Sequence, residues 1–159
     1  MIEGKVPMTP EGQSRLRIEL KKLKEVEMPQ VVKDIGTARD HGDLSENAEY
    51  HAAKDRQGMI HARSTYIEDL LGRAEVIDPS KLSGSRVQFG ATVTLLNLNT
   101  DEEVVYQIVG SEESDIKLSR ISIVAPLARS LIGREVGDEA IVKLPSGTRE
   151  YEIQAIEYR

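Results

Sequence analysis

Several residue types are scarce in this chain, and each scarcity excludes a class of site. The 159 residues include no cysteine and no tryptophan, and only 4% are aromatic. Disulfides and thiolate metal sites are therefore ruled out, and a large aromatic-lined ligand pocket is not expected. No apolar run approaches the ~20 residues that span a bilayer, and the first residues lack the apolar core of a secretory signal. We therefore expect a cytoplasmic protein without membrane contact.

Acidic residues outnumber basic ones by 27 to 21, which gives a net charge of −6. Binding to nucleic acid draws much of its affinity from the neutralisation of phosphates. The overall charge of this chain therefore opposes such binding. Any contact with nucleic acid is expected to depend mostly on a basic protein partner.

Residues 9–77 carry the period of amphipathic helices. Thr9 is predicted to be an N-cap with Pro10 at the first helical position, and a kink or register shift is expected at Pro29. Two long helices joined by a short turn that contains Gly42 predict an antiparallel αα-hairpin. Apolar stripes mark the two helices: Leu16, Leu20, Leu23, Val32, Ile35 and Ala38 in the first, and Ala48, Ala52, Met59, Ile60, Ile67, Leu70, Leu71 and Ala74 in the second.

Residues 79–159 have a different period. Turn-forming residues fill 79–85 and predict a linker, after which apolar and polar residues alternate. Strands are predicted at 91–98, 103–109, 140–144 and 149–156, with 117–124 as a further candidate strand and a short helix at 127–132. The predicted fold class is α+β, with a long antiparallel αα-hairpin over 1–78 and a small globular domain over 86–159.

The turn between the two helices, residues 39–47, is rich in acidic side chains. Asp43 and Glu46 stand three apart, which is the spacing of a capping box in which Asp43 caps the second helix. The same carboxylates could supply half of a Mg²⁺ site, because Mg²⁺ prefers oxygen ligands and commonly takes one or two carboxylates. A partner would then provide the remaining ligands. The spacing leaves both interpretations open, and they do not exclude each other.

The segment Ala38–Lys54 resembles the tip of bacterial transcript-cleavage factors of the Gre family, GreA type. The resemblance implies an N-terminal coiled-coil hairpin and a C-terminal globular domain similar to FK506-binding proteins. It covers nearly the whole chain, because further segments resemble the family in the same order: Met8–Gly12, Phe89–Val93, Ala128–Arg134 and Pro145–Ile153.

The resemblance also implies an activity. The globular domain would dock at the rim of the RNA polymerase secondary channel, and the hairpin would reach through the channel to the active centre. There Asp43 and Glu46 would help to hold a Mg²⁺ ion shared with the polymerase and to orient water. The polymerase's own active site would then cleave backtracked nascent RNA and rescue arrested complexes. The chain would be an accessory factor, not an enzyme, and most simply a monomer.

Three more residues near the tip are candidates for contact with the RNA 3′ end. Arg39 and Lys54 match family positions that face the extruded RNA, where either side chain could neutralise a phosphate; a solvated helix face is the alternative. Tyr50 could stack on a base or pack across the hairpin. In the globular domain, Ala125 precedes Pro126 where the family often has serine, so this helix lacks a capping hydroxyl. If this loop belongs to the docking surface, the affinity for polymerase would differ.

Other functions agree less well with the sequence. A channel-binding regulator of the same architecture that cannot cleave is the main alternative, but the presence of both Asp43 and Glu46 argues against it. A zinc site from the three histidines is disfavoured, because a spacing of ten residues turns about 1000° around a helix: His41, His51 and His61. A peptidyl-prolyl isomerase needs an aromatic-walled pocket, for which residues 80–159 offer only Phe89, Tyr106, Tyr151 and Tyr158.

Overall fold

The computed structural model describes residues 4–42 and 47–159. It divides into a hairpin unit, Gln13–Ala74, and a globular unit that joins residues 1–12 to Glu75–Arg159. The sequence placed this boundary at 78, with a linker over 79–85, because turn residues cluster there. The structure differs: the units change at 74–75, and the expected linker begins with a 3-10 helix, Pro79–Lys81, in which Pro79 is buried. The cluster of turn residues marks a reversal of the chain, whereas the boundary between the two packed units lies a few residues earlier.

Three α-helices and a π turn make up most of the hairpin unit. They are α1 (Pro10–Lys22), the π turn (Leu23–Glu27), α2 (Met28–Arg39) and α3 (Ala48–Gly72). Helix α3 runs antiparallel to the first two, which confirms the predicted hairpin. Ion pairs join the two sides of the hairpin: Glu19–Arg63, Lys24–Glu68 and Asp34–Arg56, each with an N···O distance of 2.6 Å. Within residues 4–42 and 47–159, no helix has the length and apolar character needed to cross a membrane.

The π turn shifts the register of the first side of the hairpin by one residue. The Met28 N–H donates to the Leu23 carbonyl, five residues back instead of four. Pro29 has no N–H to donate, so the regular helical ladder is already interrupted at this point. An apolar stripe through Leu16 and Leu23 would continue at 27, 30, 34 and 37 in an unbroken helix. The buried side chains lie one residue later, at Val31, Ile35 and Ala38, and the register shift expected near Pro29 is confirmed.

This shift changes which apolar side chains face the opposite helix. Val31 is 1% exposed, whereas Val32, which the sequence placed in the stripe, is 53% exposed. In α3 the predicted stripe is correct at Ile67 and Leu70, and the buried Ser64 lies between apolar positions of the same face. The predicted stripe is wrong at three exposed residues, Ala48, Ala52 and Met59, and it omits the buried Ala53 and Ser64.

Helix α1 begins as predicted, with Thr9 as its N-cap. The Gly12 N–H donates to Oγ1 of Thr9 at 3.1 Å. The N–H of Thr9 donates to Oε2 of the buried Glu113 at 3.0 Å, and the Thr9 hydroxyl donates to Oε1 of the same carboxylate. The Gly110 N–H is a third donor to Glu113, at 3.1 Å. In a capping box, a glutamate at the third helical position accepts the N–H of the N-cap residue. The third helical position of α1 is Gly12, which has no side chain for this bond. The N–H of Thr9 is accepted instead by Glu113, which lies 104 residues further along the chain.

The globular unit is an α+β fold, as predicted. A two-stranded sheet joins β1 (Val6–Met8) to β2 (Ala74–Val76), and the main sheet contains β3 (Thr92–Asn97), β4 (Glu103–Val109), β5 (Arg120–Ser122), β6 (Glu139–Leu144) and β7 (Gly147–Glu157). The main sheet has the order β5-β4-β3-β7-β6. Strands β4 and β5 pair in parallel and the other neighbours are antiparallel. Helix α4 (Pro126–Leu131) packs against β6.

The predicted segments of the globular unit differ from the structure mainly between 116 and 124. Residues Ile116–Leu118 form a 3-10 helix, and Ser119 has a φ of 59° in the left-handed region, so the candidate strand at 117–124 is reduced to Arg120–Ser122. The alternating strands and α4 enclose one apolar core, formed by Val87, Ala91, Val93, Leu95, Ile108, Ile121, Ala128, Leu131, Ala140, Val142, Tyr151 and Ile153.

Candidate functional site at the hairpin turn

The first side of the hairpin ends just before the acidic turn. Helix α2 ends at Arg39, and Asp40 is its C-cap residue. The His41 N–H donates to the Ala38 carbonyl at 3.1 Å, and Gly42 has a φ of +116°, a conformation that side chains other than glycine rarely adopt. The next four residues, 43–46, lie outside the described residues. The predicted catalytic and metal-binding pair, Asp43 and Glu46, is therefore not placed by the structure and stays a prediction.

The second side of the hairpin begins at Asn47, which is the N-cap of α3. Its Oδ1 accepts the N–H of Tyr50, the third helical residue, at 3.0 Å, and its backbone carbonyl accepts the His51 N–H at 3.1 Å. The prediction that Asp43 caps this helix is thus wrong, because the N-cap of α3 is Asn47, four residues after Asp43. An asparagine just before a helical stripe is itself a cap signal, and this signal could have identified Asn47 from the sequence.

The side chain of Asn47 also contacts the opposite helix. Its Nδ2 donates to the carbonyl of Ala38 at 2.5 Å, close to the end of α2. This carbonyl is among the last four of α2, which have no partner within the helix. One amide group therefore bonds the end of α2 and the start of α3. No sequence pattern suggested this second role, because it depends on how closely the two helix ends approach.

The two predicted RNA-contacting cations lie on opposite sides of the turn. Arg39 is exposed at the last residue of α2, and Lys54 is exposed on α3. The Nζ of Lys54 contacts Oε1 of Gln57 at 3.2 Å, three residues further along the same helix. Both side chains thus lie at the surface near the turn. This placement agrees with a phosphate contact and equally with a solvated helix face.

Tyr50 packs across the hairpin. Its half-buried ring lies against the cluster of Val31, Ile35 and Ala53. The ring also makes an edge-to-face contact with His51, with centroids 5.5 Å apart and an interplanar angle of 70°. Of the two roles considered for Tyr50, the structure shows packing across the hairpin.

Polar side chains on the two sides of the hairpin contact each other both at the turn and further along the two helices. Nδ1 of His41 lies 3.2 Å from a carboxylate oxygen of Glu49, across the turn. Further down, hydrogen bonding to Arg63 holds the pKa of Glu19 below its ordinary value of 4.5, although partial burial acts in the opposite direction. Two of the three guanidinium nitrogens of Arg63 donate to Glu19, Nε at 2.6 Å and Nη2 at 2.9 Å. A bidentate pair of this kind is stronger and more specific in its geometry than a single hydrogen bond.

The aromatic residues considered for an isomerase pocket have structural positions in the globular unit. Phe89 and Tyr151 are buried, and Tyr106 packs against the apolar core. The Tyr158 hydroxyl donates to the Arg86 carbonyl at 2.6 Å. These contacts account for the aromatic side chains without a ligand.

Comparison with known proteins matches both parts of the chain to one family. Residues 6–76 match the family described as "Transcription elongation factor, N-terminal", and residues 82–158 match "Transcription elongation factor, GreA/GreB, C-term". The chain is 55% identical over 160 residues to "Transcription elongation factor GreA" of Francisella philomiragia, with 100% of both chains covered. It is 56% identical over 154 residues to the protein of the same name in Phenylobacterium zucineum, covering 97% of this chain and 98% of that one.

Among solved structures, the chain is similar to GreA factor homolog 1 (Gfh1) of Thermus thermophilus. The two are 28% identical, and the match covers 96% of this chain and 99% of that chain with a TM-score of 0.44.

Proposed function

Because the chain belongs to the GreA/GreB family of bacterial transcription elongation factors, we propose that it stimulates transcript cleavage by RNA polymerase. The globular unit would dock at the rim of the secondary channel, and the hairpin turn would enter the channel. The protein would then supply groups to the active site of the polymerase and rescue arrested complexes, without being an enzyme itself. In this proposal the protein acts in the cytoplasm as a monomer.

The capping of α3 by Asn47 is the observation that most directly supports this proposal. Helix α3 begins with its own N-cap, bonded to the Tyr50 N–H at 3.0 Å. Asp43 and Glu46 are therefore not needed to start the helix, and two carboxylates in a short turn need another explanation. Delivery to a partner's catalytic centre is such an explanation.

The chemistry of these two side chains fits Mg²⁺. The ion prefers oxygen ligands, keeps several waters and usually takes one or two carboxylates from a protein. In our proposal Asp43 and Glu46 hold a Mg²⁺ ion together with the polymerase, and the ion, when bound, activates water and stabilises charge that develops on the phosphate. Arg39 and Lys54 would neutralise phosphates near the RNA 3′ end. We assign Tyr50 to packing, as its contacts with the Val31 cluster indicate.

The proposal is tested with backtracked elongation complexes of a bacterial RNA polymerase. We expect the parent protein and Mg²⁺ to release short 3′ RNA fragments, and Asp43→Ala and Glu46→Ala to lose this release. Asp55→Ala is the matched control, because Asp55 is an exposed acidic residue of α3 outside the turn; it should cleave like the parent. Raising the Mg²⁺ concentration should partly restore the two turn variants if their carboxylates contribute to ion binding.

Stability measurements separate loss of function from loss of fold. Since Asn47 is the cap of α3, Asp43→Ala and Glu46→Ala remove no capping bond from this helix, and we expect each to change the free energy of unfolding by no more than about 0.5 kcal/mol. Full cleavage by both variants would refute the carboxylate role. A parent protein that binds polymerase yet releases no fragment would instead identify a non-cleaving regulator of the channel.

A further inference from the structure

We infer that Asn47 is a positioning residue, whose amide sets the separation of the two helix ends that carry the acidic turn. This inference rests on the proposed function, since it concerns how the turn is held for transcript cleavage. Its physical basis lies entirely in residues on either side of the turn.

The amide of Asn47 uses both of its polar atoms at once. Oδ1 accepts the Tyr50 N–H at 3.0 Å and Nδ2 donates to the Ala38 carbonyl at 2.5 Å. Only this orientation satisfies both bonds, because a carbonyl can only accept and an N–H can only donate. Among short side chains, aspartate offers the acceptor without the donor, and serine is one atom shorter. The position therefore requires asparagine for the bridge but not for the cap.

The two backbone groups that bond to the Asn47 amide, the Ala38 carbonyl and the Tyr50 N–H, belong to residues that pack within the hairpin. Ala38 is buried, and Tyr50 lies against Val31, Ile35 and Ala53. The Ala38 carbonyl also accepts the His41 N–H at 3.1 Å, so the same oxygen orders the first residues of the turn. The Asn47 bridge thus joins two backbone segments that are themselves held in place, and it closes the turn at its base.

This closure matters because transcript cleavage requires carboxylates at defined positions. A displacement of about 1 Å in a reacting or metal-binding group can lower a rate by about a hundredfold. The turn spans only eight residues between Ala38 and Asn47, so a change in the distance between its ends has to be absorbed within it. Docking of the globular unit does not depend on this distance, and polymerase affinity should therefore be preserved when the bridge is lost.

Two substitutions separate the bridge from the cap. Asn47→Asp keeps the cap acceptor and the side-chain shape but places a carboxylate against the Ala38 carbonyl. Asn47→Ser keeps a favourable N-cap and adds no charge, but its hydroxyl is too short to reach both partners. Asp55→Asn is the matched control for a change between acid and amide on α3.

The expected result is a split between binding and turnover. For both Asn47 variants, the concentration that gives half-maximal cleavage should stay within about twofold of the parent, while the maximal rate falls by about tenfold or more. Asp55→Asn should match the parent in both quantities. Independently of polymerase, the amide of His41 in the free protein should exchange with solvent faster in both Asn47 variants, because the oxygen that it bonds is no longer fixed.

Each outcome decides the inference. Parental maximal rates in both variants would overturn it while leaving the proposed function intact. Loss of rate in Asn47→Asp alone would also overturn it, because added charge would then be the cause. If the parent protein itself fails to cleave, the proposed function is wrong, and unchanged His41 exchange in the variants would separately reject the bridge.

Discussion

Replacing Gly12 with alanine should destabilise the protein, although alanine is the better helix former. A methyl group at Gly12 would lie 2.2 Å from Cδ of Glu113 and 2.5 Å from its Cγ and Oε1. Carbon contacts of this kind ordinarily begin near 3.4 Å. The glutamate would therefore have to withdraw by more than an ångström from a position in which it is 6% exposed.

The cost follows from the bonds that this withdrawal breaks. Glu113 accepts the N–H groups of Thr9 and Gly110 at 3.0 and 3.1 Å, and the Thr9 hydroxyl as well. Hydrogen bonds to charged groups contribute about 1.5–3 kcal/mol each, and two or more of them would be lost. The displaced carboxylate regains some hydration, and alanine adds up to about 1 kcal/mol in helix propensity. We expect a net loss of about 2–4 kcal/mol.

Gly36→Ala is the matched control. Gly36 lies inside α2, and a methyl group there would have nothing within 4 Å. This substitution should raise the free energy of unfolding by about 0.5–1 kcal/mol. Replacing glycine with alanine is thus expected to lower the free energy of unfolding at position 12 and to raise it at position 36. The difference comes from the surroundings of each residue.

Urea unfolding followed by circular dichroism measures both effects, and a double-mutant cycle tests the cause. In a Glu113→Ala background the clash is absent, so Gly12→Ala should be neutral or slightly stabilising. Our reasoning is refuted if Gly12→Ala is as stable as the parent, or if its cost is the same with and without Glu113.

Two further predictions concern single contacts. Hydrogen bonding to Arg63 lowers the pKa of Glu19 in the folded state, so its contribution to stability is present above the ordinary value of 4.5 and is lost as the pH falls through the lowered pKa. When the pH is lowered below 4.5, the urea midpoint of Glu19→Gln should therefore fall less than that of the parent protein. Glu25→Gln, which changes an exposed glutamate, is the control and should behave like the parent. If the midpoints of all three proteins fall equally with pH, the prediction is wrong. Ala125→Ser should stabilise the protein by about 0.5–1 kcal/mol, because Ala125 is the N-cap of α4 and provides no side-chain bond; an unchanged thermal midpoint would show that the new hydroxyl does not cap.

Local patterns in the sequence were sufficient for much of the fold. The N-cap at Thr9, the interruption near Pro29 and the strands of the globular unit follow from preferences that act over a few residues. At the candidate site, Arg39 and Lys54 are exposed, and their contact with RNA stays a prediction. The sequence also named Asp43 and Glu46, which stay predictions because they lie outside the described residues.

Tertiary structure decided the features that depend on distant partners. Val31 is buried and Val32 is exposed because the π turn adds one residue to the helix. The spacing of apolar residues in the sequence does not reveal this extra residue. The bridge from Asn47 to Ala38 exists only because two helix ends meet, and the bond from Thr9 to Glu113 joins residues 104 positions apart. Sequence patterns report the preferences of neighbouring residues. Hydrogen bonds between remote groups depend on the three-dimensional path of the chain, and that path determines which side chains complete each site.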